Sequence, residues 1–190
     1  MFAVAITLLV LDIKVPPVPT GNSNFSLEHE LLQQWPSYLA FVTSFLTILI
    51  MWINHHRIFG LIMRVNSRFL IYNGLLLLTV TLIPFSTSLL AAYARLPDAR
   101  LAAFVYSGSN VLLAVCFSLV WRYASHNNLL LARDHDRQIA KGITKSYRLG
   151  PLLYIIACAL SFISVTMSFG FCMLLALYFT LPPRTHAPTE

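Results

Sequence analysis

The chain has 190 residues, of which 57% are hydrophobic and 11% charged, whereas a soluble domain carries about 25% charged residues. Such a composition cannot dress a water-facing surface and places the chain in a bilayer. The formal charge of +6 does not by itself point to nucleic acid, because in a membrane protein the placement of charge matters more than its sum.

The first apolar segment is Met1-Phe-Ala-Val-Ala-Ile-Thr-Leu-Leu-Val-Leu-Asp-Ile-Lys-Val15, a predicted span over about 1–15. Eleven residues precede Asp12, roughly 16 Å of helix against a hydrocarbon core of about 30 Å. The segment lacks the basic start and small-residue cleavage site of a signal peptide. At about 100° per residue, Val4, Thr7, Leu8 and Leu11 share one stripe, flanked by Ala3 and Ala5, whose size permits close helix approach. Two readings stay open for that stripe. Either it is ordinary packing, with Thr7 bonded to its own backbone, or it is a functional surface.

Pro16 to Ser26 is polar and proline-rich and reads as an external loop. The second span, about 36–54, runs into Trp52-Ile-Asn-His-His-Arg57. Asn54, His55 and His56 lie at the edge of hydrocarbon, where polar groups need partners. Adjacent histidines on a helix point about 100° apart and chelate one ion poorly, so a hydrogen-bond network is favoured over a metal site. The third span, about 69–93, holds Asn73, Thr79, Thr81, Pro84 and Phe85. Pro84 removes one helical hydrogen bond and predicts a kink, with nearby hydroxyls placed to satisfy the freed carbonyl.

The fourth span is about 101–122, and residues 125 to 148, with charges of both signs, read as a cytosolic loop, partly helical. Pro151 to Leu181 is an apolar run of 31 residues, about 46 Å as one helix and too long for the core. Splitting it near Ser164-Val165-Thr166 gives spans of about 149–164 and 166–181. The fold class is therefore all-α, a polytopic membrane protein with six transmembrane helices in a single unit, 1–190. Cys116, Cys158 and Cys172 sit in apolar runs without metal or redox spacing and read as small hydrophobes.

With both termini on one side, that side collects Arg57, Arg64, Arg68, Arg122, Arg133, Arg137, Lys141, Lys145, Arg148 and Arg184. The other side has Lys14, Arg95 and Arg100. The positive-inside rule then puts both termini in the cytoplasm.

No Ser-His-Asp pattern, Gly-rich phosphate loop or His-Glu-x-x-His is present, so nothing points to an enzyme. No Asp or Glu falls inside a span, which argues against a proton-coupled secondary transporter. A histidine-dependent membrane redox or haem protein, using His55 and His56, is a further alternative.

Phe2-Ala-Val-Ala-Ile-Thr-Leu-Leu-Val-Leu-Asp-Ile-Lys-Val-Pro16 resembles the first helix of prokaryotic members of the transmembrane protein 175 family, the endosomal and lysosomal type of potassium channel. Trp52-Ile-Asn-His-His-Arg57 resembles its second helix, and Asn73 with Leu82-Ile-Pro-Phe-Ser-Thr87 its third. Gly150-Pro-Leu-Leu-Tyr154 and Leu160-Ser-Phe-Ile-Ser164 resemble its fifth. The family signature Arg-x-x-x-Phe-Ser-Asp is expected just before Phe2, so this reading takes the first helix as lacking that part.

The resemblance implies a potassium-permeable channel in the cell membrane, a homotetramer whose four first helices line a central pore. By position, Val4, Leu8 and Leu11 fall on the hydrophobic constriction and Thr7 on the threonine tied to potassium preference. Val4 stands where the family often has a larger side chain, which implies a looser neck. Trp52, Asn54 and His55 fall on a network bracing the first helix. Asp12, at the outer mouth, either concentrates cations or pairs with Lys14. The implied partners are potassium ions, the lipid bilayer and further copies of the chain. No cofactor, metal or nucleic acid is expected.

Overall fold

A computed structural model describes residues 1–16, 26–126, 144 and 149–180. Apart from an isolated β-bridge residue at Ile62, the regular structure among them is helical. Helix α1, Phe2–Leu9, runs into a 3-10 turn, Val10–Asp12. A short helix α2, Leu27–Gln33, precedes three long ones: α3, Trp35–Gly60, α4, Ser67–Tyr93, and α5, Ala99–Ser125. The chain closes with α6, Leu149–Leu160, and α7, Val165–Thr180.

Helices α3, α4 and α5 have 26, 27 and 27 residues and are long and apolar enough to cross a bilayer. At 1.5 Å per residue each spans about 40 Å. The 31-residue apolar run does break, at Ser161–Ser164. Backbone bonds from Phe162 and Ile163 to the carbonyls of Ala159 and Leu160 form the turn. Ser168 Oγ donates to the Ala157 carbonyl at 2.8 Å and ties α7 back to α6. The external loop read at 16–26 and the cytosolic loop read at 125–148 lie almost wholly outside the described residues.

Capping and corner contacts set how the helices join. Asn66 caps α4, its Oδ1 accepting from the Phe69 backbone at 2.9 Å, while its Nδ2 donates to the Tyr123 hydroxyl at 2.9 Å. One side chain thus fixes the start of α4 against the end of α5. At the opposite end, the Arg95 guanidinium lies over the Trp35 ring at 5.8 Å, a cation–π contact between the α4–α5 corner and the start of α3. Arg57, Arg64, Arg68 and Arg122 therefore cluster at one end of the bundle, with Arg95 and Arg100 at the other.

Between these ends the helices pack through small and hydroxylated residues. Ser44, Thr87 and Tyr106 meet in the interior, with Ser44 Oγ 2.7 Å from Thr87 Oγ1 and 3.3 Å from the Tyr106 hydroxyl. This joins α3, α4 and α5 at one point. Helix α4 continues through Pro84, which is buried. The neighbouring hydroxyls of Ser86 and Thr87 both donate to the Ile83 carbonyl, at 3.0 and 2.7 Å, rather than to the Val80 carbonyl that the proline leaves without its helical donor.

Helix α1 lies on α3 and α4. Phe2, Ala5 and Leu9 are buried and share a core with Ile48, Ile58, Phe69, Leu76, Val80 and Ile83. Their spacing of three and four makes one helical face. Ala5 is 1% exposed and Leu9 0%, so α1 approaches closely at the alanine and anchors at the leucine. Leu9→Ala is expected to destabilise the protein by about 2–5 kcal/mol through the cavity it leaves. Ala5→Phe should cost about 1–3 kcal/mol by overpacking. Both are read from unfolding of the purified protein in detergent or lipid.

Candidate functional site

The face of α1 opposite its anchor carries the stripe read from the sequence. Val4 is 54%, Leu8 44% and Leu11 72% exposed, and Thr7 stands among them. About 150° separates the centre of this stripe from the Phe2, Ala5, Leu9 face. A subunit therefore presents the stripe outward in full. Thr7 Oγ1 donates to the Val4 carbonyl at 2.9 Å. Its proton is used within the helix, and the oxygen lone pairs remain on the outward side. Asp12 closes the 3-10 turn at the far end of the same segment.

The polar cluster at the end of α3 divides. His55 turns toward α1 and α4. Its Nε2 is 2.9 Å from Asn73 Oδ1 on α4, and its ring lies 5.2 Å from the Phe2 ring and stacks on Phe59 at 4.0 Å. It thus touches the first turn of α1 and bonds to α4. His56 turns elsewhere and stacks on Trp52 at 6.0 Å. Trp52 is 48% exposed on the subunit surface. Asn54 is buried on the far side of α3, among residues of α5, α6 and α7.

The three residues grouped by the sequence reading therefore do not act on α1 together. His55 meets it, Asn54, one position earlier and so about 100° round the helix, faces α5, α6 and α7, and Trp52, about 60° from His55, lies exposed on the subunit surface. The partner missed was Asn73. It had been singled out as a polar residue in its span, but nothing in the sequence sets its distance to His55. Among the described residues no group of three His, Cys, Asp or Glu side chains comes together in a way that would hold a metal.

The bundle thus has three helices long and apolar enough to cross a membrane and one short helix with an outward apolar and hydroxyl stripe, the architecture of a helical membrane protein, and comparison with known proteins identifies its class. The family profile for the endosomal/lysosomal potassium channel TMEM175 matches residues 1–84. A potassium channel of Chamaesiphon minutus is 52% identical over 181 residues, covering 95% of this chain and 89% of that protein. A potassium channel of Streptomyces collinus is 40% identical over 180 residues, covering 94% of this chain and 86% of that one. The crystal structure of a lysosomal potassium-selective channel TMEM175 homolog from Chamaesiphon minutus superposes with a TM-score of 0.87 at 50% identity, covering 97% of this chain and 93% of that chain. The chain belongs to the TMEM175 family, a family of ion channels rather than enzymes.

The His55–Asn73 contact is testable by a double-mutant cycle. His55→Ala and Asn73→Leu should each lower stability. Their coupling is expected near 0.6 kcal/mol and no more than about 1.7 kcal/mol, the range for hydrogen bonds between membrane helices. Chemical denaturation of the wild type, both single variants and the double variant supplies all four terms.

Proposed function

We propose that this chain is the subunit of a homotetrameric potassium channel, with α1 of each copy lining a central pore. The observation that carries the reading is the exposed stripe Val4, Thr7, Leu8, Leu11 on a helix anchored by its other face. One such helix cannot enclose a pore, and closed cyclic symmetry brings identical faces around one axis. The potassium-channel names of the relatives from Chamaesiphon minutus and Streptomyces collinus support the permeant ion.

In this arrangement Val4, Leu8 and Leu11 form apolar rings. A narrow apolar ring resists wetting and sets the barrier to conduction. The Thr7 oxygens, with their protons held by the Val4 carbonyls, face the axis as acceptors for a partly dehydrated cation. Asp12 stands at the outer mouth and concentrates cations there. His55, through Phe2 and Asn73, holds the start of α1 in register with α3 and α4. The polypeptide supplies these groups itself, and potassium is cargo rather than a cofactor.

We further assign six spans to the unit 1–190, formed by α1 with its 3-10 turn, α3, α4, α5, α6 and α7, in the cell membrane. Both termini are cytoplasmic. The cluster of Arg57, Arg64, Arg68 and Arg122 at one end of the bundle supports that orientation through the positive-inside rule. The Phe2–His55 contact supports a start of α1 at this same end.

Mass measurement of the purified protein in lipid discs is expected to give four copies, and a stable monomer or dimer would count heavily against the channel reading. In planar bilayers, Leu8→Ala should widen the apolar neck, raise the current and weaken selectivity. Thr7→Val keeps the shape and removes the acceptor, so it should shift the reversal potential toward lower preference for potassium over sodium. Should both variants leave current and reversal potential unchanged, the stripe does not line a pore.

A further inference from the structure

Helix α4 begins and helix α5 ends at one edge of the bundle, and the two are fastened there. The Tyr72 and Tyr123 rings meet at 5.2 Å, and Asn66 Nδ2 donates to the Tyr123 hydroxyl at 2.9 Å. Both tyrosines are half-buried. Arg68 stands one turn before Tyr72, Arg122 is next to Tyr123, and both arginines are exposed. Below them on the outer faces of the same helices are Leu75, 45% exposed, and Leu119, 41% exposed. Leu75 is two turns into α4 from Arg68, about 10 Å along the axis. Among the described residues the acidic ones, Asp12, Glu28, Glu30 and Asp98, stand toward the opposite end of the bundle. None of them is beside either guanidinium.

The positive-inside rule accounts for arginines at this end, but not for two of them flanking one aromatic pair at a seam between helices. Two guanidiniums held on one face repel each other, and an anion between them relieves that repulsion through charge-assisted hydrogen bonds. The level of the seam selects the anion. The ends of spanning helices stand at the headgroup layer, where tyrosines collect, and the leucines below face hydrocarbon. We propose that the α4–α5 seam binds one anionic phospholipid. Its phosphate lies between Arg68 and Arg122, its glycerol edge on the tyrosine rings, and an acyl chain along Leu75 and Leu119. A zwitterionic headgroup carries its own cation, which the same arginines repel, so the site discriminates by net charge. Helix α1 packs on α3 and α4, while the seam is on the α5 side of α4. The proposal therefore needs only that α4 and α5 cross the bilayer, and it does not depend on the pore reading.

The probe is phosphatidylglycerol, titrated into the delipidated full chain in its assembled state and counted by native mass spectrometry. Phosphatidylcholine is the net-neutral control, and glycerol phosphate is the headgroup without chains. One saturable phosphatidylglycerol per chain is expected, bound about tenfold or more tighter than phosphatidylcholine. Glycerol phosphate should bind far more weakly than the lipid. Arg68→Gln and Arg122→Gln should each weaken binding by about fivefold, and the double variant by about 25-fold. Arg100→Gln removes the same charge at the opposite end and should leave the affinity unchanged. The wild type in phosphatidylglycerol discs should show headgroup density between Arg68 and Arg122, which tests the site even where a variant fails to fold. Equal affinity for the two lipids, glycerol phosphate binding as tightly as the lipid, unaltered affinity in the double variant, an equal loss in Arg100→Gln, or a neighbouring copy filling the seam would each overturn the proposal.

Discussion

The arrangement depends on how a helix of eight residues is held against two long ones. Surrounding lipid is as apolar as the side chains of α1, so burial by itself gives little preference for helix over lipid. What holds α1 is shape and polarity at its buried face. Ala5 allows the backbones to approach, Leu9 fills the space below, and Phe2 rests on the His55 ring. His55 in turn is tied to Asn73. Once that face is fixed, helical rotation leaves Val4, Thr7, Leu8 and Leu11 directed outward.

The long helices meet the same constraint with hydroxyls and small side chains. Thr43, Ser44, Thr47, Thr79, Ser86, Thr87, Ser107 and Asn110 are all buried. Most return their protons to carbonyls of their own helix, as Ser107 does to Ala103 and Thr79 to Leu76. A hydroxyl bonded in this way packs closely without leaving its proton unsatisfied in a medium that has no water to offer. Ser44 instead reaches across, linking α3 to α4 and α5, and the buried Thr43 hydroxyl has no partner among the described residues. Thr7 follows the common pattern, and this is what makes its oxygen a pure acceptor on the outward face.

Helix α3 separates two environments. Its His55 side faces α1, and its Asn54 side faces a small cavity toward α5, α6 and α7. Neighbouring residues in one polar motif thus serve different parts of the molecule. A disturbance of α3 near its end has contacts on both sides through which to act.

Much of this was legible in the sequence, because in a bilayer hydrophobic length and charge placement are strong constraints. The break between α6 and α7 followed from a run too long for the hydrocarbon core, and the α1 stripe from its spacing. Helix α2 went unread, since Leu27–Gln33 is short and polar and buries none of its residues. Of the grouped residues Trp52, Asn54 and His55, the structure gives His55 the contact with α1, and the 100° step between neighbours separates Asn54 from it. Tertiary structure alone decided which side of α3 met α1, that His55 found Asn73 eighteen positions away, and that Asn54 and Tyr154 line one cavity. Periodicity states which residues share a face. Which faces meet is decided by close packing among helices far apart in the chain, which hydrophobicity alone does not distinguish.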